Sequence, residues 1–312
     1  VQFPFTLPEN KEFDVLGFGT NAVDHLIVVP EYPQFDSKIH LTTHIQAAGG
    51  QIASCMAGVS RLGFKAAYAG RFGSDREGAF GLQSLSDEGV DTRFSETIEG
   101  ARTQIAFILI DERNGERTVI WHRDSKLEYS AGDAPIAAAG LAKVLHADAH
   151  DPFAVTEMAK AARAGGAIVT IDIDEMSDGV AEMLPLVDVL ISSVEFPEKL
   201  TGIRDRRTAL AEIRSRFGCT IVGSTKGVRG SSVLVGDTYI KTPAYDVPGG
   251  CVDTTGAGDA FRVGLIYGLL KGAEIEESLK YANAVAALKC RQLGARTALP
   301  TENEVFSLIN SQ

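Results

Sequence analysis

The stretch PFAVTEMAKAARAGGAIVTIDI, Pro152–Ile173, decides the fold. Its first half places Phe153, Val155, Met158, Ala161 and Ala162 at roughly helical spacing. Its second half, Ala167–Ile173, is a short apolar run rich in β-branched residues. Runs of this second kind recur at Phe13–Phe18, Ile105–Ile110, Val187–Ile191, Thr220–Ser224 and Ser232–Val235. Helical patterns lie at Pro197–Gly202, Asp205–Phe217, Ala260–Leu270 and Ser278–Cys290. Strands alternating with helices predict βαβ units, hence an α/β fold with a mostly parallel sheet covered on both faces. No internal repeat, low-complexity linker or Pro/Gly/Ser-rich seam divides the chain, so residues 1–312 read as a single domain.

Two regions break the alternation. From His25 to Ile45 an apolar run meets a turn with Pro30 and Pro33, then a second extended run, Ile39–Ile45, with no helix between them. In Gln104–His122 the segment Asp111–Gly115 separates two β runs, a hairpin signal. These pieces, about 25–45 and 104–122, read either as edge hairpins of the main sheet or as a small sheet projecting from it.

Composition narrows the function. Hydrophobic residues at 45% and charged residues at 23% are ordinary for a globular chain and exclude dominant disorder. The net charge of −11 lacks the basic footprint of a nucleic-acid binder but leaves room for a small anion in a locally positive pocket. The four cysteines form no Cys-x-x-Cys pair, which points away from a disulfide framework or zinc knuckle and toward a reducing, cytoplasmic setting. The opening VQFPFTLPENKEF has neither a basic n-region nor a long apolar run, so no signal peptide is expected. The missing initiator Met suggests a shortened N-terminus. No apolar stretch is long enough to span a bilayer, so no membrane partner is expected.

The segment VDTTGAGDAF, Val252–Phe261, leads into the helix carrying Phe261, Leu265, Ile266, Leu269 and Leu270. With almost no side chain at Gly256, Ala257 and Gly258, backbone N–H groups at a helix start can close around an oxyanion. Asp259 then has two readings. It is a helix-end carboxylate complementing the dipole, or a general base beside an anion hole, where a hydroxyl attacks a phosphoryl group. Upstream, Gly49-Gly50 precedes an apolar helical stretch, and GRFGSDREG follows at Gly70–Gly78. Downstream, Ala282–Ala287 opens a small-residue helix that suits either a flat purine base or tight helix–sheet packing.

In this order, GGQIASCMAGVSRLG, GRFGSDREG, DTTGAGDAF and ANAVAALKC resemble the ribokinase-like (PfkB) carbohydrate kinases, from about Asp14 to Pro300. The resemblance implies a Rossmann-like three-layer α/β domain with a small β-sheet lid. It implies transfer of the ATP γ-phosphoryl to a hydroxymethyl group of a sugar, with Mg²⁺. It makes Asp259 the catalytic base and Gly256, Ala257 and Gly258 the anion hole. Asp24 takes the position that binds substrate hydroxyls, with Asn21, Gly49, Gly50 and Gln51 around the same sugar. Thr225 and Gly227 match the nucleotide loop, and Asn283 lies where adenine packs. Arg123, after the run TVIWH, is placed to reach a charged sugar. A nucleoside kinase and a catalytically reduced, kinase-like binding protein are the alternative readings. Exposed apolar lid edges would favour a homodimer.

Several positions depart from the family pattern. Ser54 stands where many members carry Asn. The Asn-x-x-Glu motif linked to Mg²⁺ becomes Ser193-Val194-Glu195-Phe196, leaving Glu195 or Glu198 as the substitute, with Glu195 taken as the metal residue. A monovalent-cation site would lie near Asp253, Thr255 and the Gly294–Ala298 loop, with Ala298 replacing a hydroxyl found there in some members.

Other motifs point elsewhere and fail on context. Gly17–Ala22 fits G-x-G-x-x-A, but that fingerprint needs a helix next, and Val23–Val29 is β-like. His146, Asp148 and His150 alternate as metal ligands on one strand face would, yet no second His- or Cys-rich cluster completes a site. Arg102, Arg113, Arg117 and Arg123 look like an anion patch, but apart from Arg123 they read mostly as solvated hairpin charges. No G-x-x-x-x-G-K-[ST] loop is present, which excludes a P-loop kinase.

Overall fold

The computed structural model describes residues 1–311. The main sheet has eight strands, ordered Thr238–Thr242, Ser231–Val235, Ile221–Thr225, Val189–Ser192, Ile168–Ile173, Ala142–Asp148, Phe13–Phe18 and Ala66–Ala69. From Ile221–Thr225 to Ala66–Ala69 all neighbours are parallel, and the first two strands form an antiparallel edge. Helices cover both faces and leave two buried cores. Val15, Ile52, Met56, Phe261 and Leu279 belong to one, and Leu16, Phe18, Val155, Met158 and Ile171 to the other. Strands buried on both sides have no polar face to show, which is why they read in sequence as continuous apolar runs.

The helix Pro152–Ala164 and the strand Ile168–Ile173 form where the deciding stretch placed them. Proline at the first helical position costs nothing there, because its missing N–H would have no partner. The helix Arg206–Phe217 is capped by Asp205, whose carboxylate accepts from Thr208 N at 2.9 Å, and stops at Gly218 in left-handed conformation.

The two irregular regions make one separate four-stranded sheet, ordered Thr43–Gly49, Ala22–Val29, Ile105–Asp111 and Arg117–His122. Its middle strands are parallel and its outer pairs antiparallel. The return strand differs from the expected Ile39–Ile45. Pairing runs from Ala22↔Gly49 to Val28↔Thr43, so residues 39–41 fall beyond the end of their partner at Val29. Ile39 and Leu41 are correspondingly exposed, although they alternate as strand residues would. Gly17–Ala22 leads into the strand Ala22–Val29 and not into a helix, so the dinucleotide fingerprint lacks its helix N-terminus. No helix among the described residues is long and apolar enough to cross a membrane.

Candidate active site

A cleft of about 530 Å³ lies between the carboxyl ends of the parallel strands and the inner face of the second sheet. In α/β sheets ligands gather at that end, because loops leaving the strands converge there. Asp24, Gly50, Gln51, Gly256 and Asp259 all line this cleft, although the sequence separates the first from the last by most of the chain.

Asp259 sits in the first turn of the helix Ala257–Lys271. Gly256 caps that helix at φ 74°, a conformation that costs a residue with a Cβ, and a Cβ there would lie 2.8 Å from Ala295 Cβ. Gly258 is less constrained: a Cβ there would lie 2.7 Å from Arg262 Nη1, the end of a side chain that would have to shift. Ala257 N–H donates to Thr254 O at 3.1 Å, so the amides of Gly258 and Asp259 are the ones this turn can offer an anion. Burial pushes the Asp259 carboxyl up to about 6, with Arg262 opposing the rise and Asp174 adding to it. A carboxylate of that basicity remains ionised at neutral pH and accepts a proton more readily than an exposed one.

Asp24 is buried in the strand Ala22–Val29. Burial pushes it up to about 7; Arg296 opposes that, and Asp259 and Asp253 reinforce it. A Cβ on Gly49 would lie 2.0 Å from Asp24 Oδ2, so the carboxylate packs directly against bare backbone. Gly50, at φ 87°, turns the chain into the helix Gln51–Arg61, and Gln51 Nε2 donates to Asp174 Oδ2 at 3.1 Å. Asn21 is turned away from the cleft: its Nδ2 donates to Tyr68 Oη at 3.0 Å and Arg71 O at 2.9 Å.

The remaining expected residues lie apart from this cleft. Arg123 is bound in a two-point pair with Asp151, Nη1–Oδ1 2.9 Å and Nη2–Oδ2 2.6 Å, and also donates to Leu127 O. Thr225 ends a main-sheet strand, and Gly227 opens the exposed turn that follows. Asn283 is buried and donates to Leu279 O at 2.8 Å and Ser231 Oγ at 3.3 Å, which ties its helix to the antiparallel edge. Glu195 stands at the surface, paired with Lys199 at 2.7 Å.

Some cleft residues escaped the sequence reading. Arg117 is one: from the second sheet it lines the cleft and donates from Nη1 to Thr254 Oγ1 at 2.9 Å. The signal was the alternation Arg117, Val119, Trp121, which puts all three on the inner face. Asp174 also lines the cleft, just past the end of the strand Ile168–Ile173. Arg296 is buried, and its Nε donates to Ser54 Oγ at 3.2 Å and its Nη2 to Gly49 O at 2.5 Å. Ser54 therefore accepts from a buried arginine. Phe196, where the family has Glu, is buried in the second core.

In the His146–His150 cluster, His146 and Asp148 are spent on structure, while His150 lines the cleft. His146 is buried against Thr170 Oγ1 at 2.8 Å, and burial pushes it down to about 3. Asp148 accepts from Thr20 N and Thr20 Oγ1, both at 2.7 Å, and faces His150 Nδ1 at 3.3 Å. Burial favours its neutral form, but His150 and Thr20 outweigh that and hold it well below the usual carboxylate range. No group of three or more His, Cys, Asp or Glu side chains among the described residues is arranged to hold a metal ion.

The family described as pfkB family carbohydrate kinase matches residues 15–302. An ATP-dependent ribose-1-phosphate kinase of Halopiger xanaduensis is 27% identical over 300 residues, covering 96% of this chain and 98% of that one. A fructokinase of Klebsiella pneumoniae is 30% identical over 285 residues, covering 84% and 91%. The crystal structure of a putative ribokinase from Agrobacterium tumefaciens superposes with a TM-score of 0.88 at 26% identity, covering 96% and 98%.

Proposed function

The chain belongs to the pfkB family of carbohydrate kinases, phosphotransferases that act on an alcohol group, and on that premise we propose that its cleft transfers the γ-phosphoryl of ATP to a hydroxymethyl group held between Asp24 and Asp259. The observation that carries this reading is the shared cleft. A raised carboxylate stands in the first turn of a glycine-started helix, and a second raised carboxylate stands opposite it.

Asp24 accepts hydroxyls of the sugar, and Gly49 and Gly50 bring bare backbone beside it. Asp259 takes the proton of the attacking hydroxyl. The amides of Gly258 and Asp259 receive phosphoryl oxygens at the positive end of the helix. Arg117 adds a positive charge from the second sheet, which serves as the lid. Phosphoryl transfer asks little covalent work of a protein, so positioning and charge supply most of the acceleration. Mg²⁺ supplies charge neutralisation on the β and γ phosphates when bound. It needs only one or two carboxylates besides phosphate and water, and Asp174 faces the cleft where Glu195 does not.

Thr225, Gly227 and Asn283 belong to the nucleotide side of this reading, Asn283 by fixing the helix wall rather than by touching the base. Arg123 acts through Asp151 and not on the sugar. Relatives named for ribose 1-phosphate and fructose support a sugar or sugar phosphate as acceptor, and a relative named nucleoside kinase keeps nucleosides as the alternative. Four free cysteines, three of them buried, fit a reducing cytoplasmic setting. Phe107 and Ile120 lie exposed on the second sheet and suit a homodimer through it.

The test is release of ADP from ATP over a panel of sugars, sugar phosphates and nucleosides. Turnover with a sugar and its loss in Asp259→Asn would support the reading. Preference for a nucleoside would replace the substrate class, and binding without turnover on the whole panel would leave a binding protein.

A further inference from the structure

Behind the anion-binding turn lies a charged pair that the proposed reaction does not use. Asp253 and Lys289 are both fully buried. The Asp253 carboxylate accepts from Thr255 N through Oδ1 and from Gly294 N through Oδ2, each at 2.8 Å. Lys289 Nζ donates to Asp253 O at 2.8 Å and stands 3.7 Å from Asp253 Oδ2. Asp253 thus ties the start of the Thr255–Asp259 turn to the Gly294 loop, and Gly256 packs against Ala295 of that same loop.

The resemblance implied a monovalent cation at this place, near Asp253, Thr255 and the Gly294–Ala298 loop. The residues present do not fit one. A carbonyl and a carboxylate oxygen are the donors such a cation would take, and the ammonium already faces both. Ala298 offers no hydroxyl. A second cation would share one buried carboxylate with Lys289, and a buried charge without its own partner is strongly unfavourable. Ammonium and K⁺ are of similar size and prefer the same oxygen donors.

We propose that the Lys289 ammonium replaces the monovalent cation behind the anion-binding turn, so that the turn is set without K⁺. Lys289 is then a positioning residue: it touches neither sugar nor ATP and acts through Asp253 on the backbone of Thr255 and Gly294. Burial pulls its pKa below the ordinary lysine value, and the Asp253 charge opposes that fall. The inference rests on the kinase reading for its effect on turnover, but not for the site itself.

The experiment compares K⁺ with tetramethylammonium at equal ionic strength, reading melting temperature and kcat. A ligand that binds only the folded chain raises its melting temperature by mass action. For the wild type we expect neither quantity to respond to K⁺. Lys289→Ala removes the ammonium and leaves room; there K⁺ or NH₄⁺ should raise the melting temperature and restore a lowered kcat. A purely structural lysine would give no such cation rescue. A wild-type gain with K⁺ in either reading overturns the proposal, as does a folded Lys289→Ala protein whose melting is indifferent to K⁺. If the variant does not fold, the wild-type comparison still decides. If no acceptor is turned over, the melting arm decides alone and the failure belongs to the function reading.

Discussion

Asp259 and Glu195 both stand at helix starts in this molecule, and they differ in nearly everything else. Asp259 lies in the first turn of Ala257–Lys271, lines the cleft, and has buried Arg262 and Lys289 on the elements around it. Glu195 caps the short helix Phe196–Thr201, is largely exposed, and pairs with Lys199 one turn on. Burial pushes Asp259 up to about 6, whereas Lys199 holds Glu195 below the ordinary glutamate value. A helix N-terminus favours both charges. What separates them is enclosure: a carboxylate becomes a usable base when water is excluded and a substrate pocket faces it.

The contrast breaks most sharply at Asp259. Asp259→Asn keeps the shape and removes the base, so kcat should fall by roughly 10²–10⁴-fold, about 3–5.5 kcal/mol at ~1.4 kcal/mol per decade. ATP affinity should hold or improve, since a negative charge near phosphate is gone. Turnover close to wild type in a coupled ADP assay would remove Asp259 from the mechanism. The wild-type kcat/KM should also rise with pH toward neutrality, since Asp259 at about 6 and Asp24 at about 7 must both be ionised to act.

Next comes Asp24, which faces the same cleft without being asked to move a proton. Charge-assisted bonds to sugar hydroxyls are stronger than neutral ones. Asp24→Ala should therefore raise the sugar KM while the ATP KM stays near its wild-type value. An equal rise in both would show that the residue holds the fold and not the sugar.

The same carboxylate makes a stability argument. Its folded pKa, about 7, lies above the usual aspartate value, so the native state holds a proton that the unfolded chain has already lost. Stability from this group is present below the unfolded pKa and is lost as pH rises through 7. Asp24→Asn removes the penalty, so the melting temperature of the ligand-free protein should rise, and by more at pH 8 than at pH 5. A gain independent of pH would mean that Asp24 is not titrating as its burial dictates.

Sequence carried the enclosed half of this contrast further than the open half. The strand Phe13–Phe18 and the helix Pro152–Ala164 were legible to the residue, because burial on both faces writes a continuous apolar run and helix packing writes a 3.6-residue period. The glycines around Asp24 and Asp259 were legible because close backbone approach excludes every other residue. Register was not: the return strand slid to Thr43–Gly49 because the packing of Gly49 on Asp24 anchors it, and that contact joins residues far apart in sequence. Arg117 was overlooked and Arg123 preferred for a related reason. Both are hairpin arginines, and only the tertiary fold shows that Asp151 claims the second while the cleft receives the first. Lys289 was given no role within ANAVAALKC, yet it is among the largest fully buried side chains of the described residues.

The smallest expected effect lies at Glu195 itself. The sequence offers it as the metal residue because its neighbour Phe196 has replaced the family Glu. The structure turns it to solvent beside Lys199, and Phe196 has become core packing. Exposed pairs of this kind contribute little to stability. Reaching a nucleotide-bound Mg²⁺ would require Glu195 to leave Lys199 and its helix cap to reorganise, whereas Asp174 already faces the cleft and receives Gln51 Nε2. Glu195→Gln should therefore leave both the melting temperature and the Mg²⁺ requirement at saturating ATP and sugar unchanged. Asp174→Asn should raise that Mg²⁺ requirement several-fold. The reverse pair of outcomes would return the metal to Glu195 and show that enclosure does not separate the two helix-end carboxylates after all.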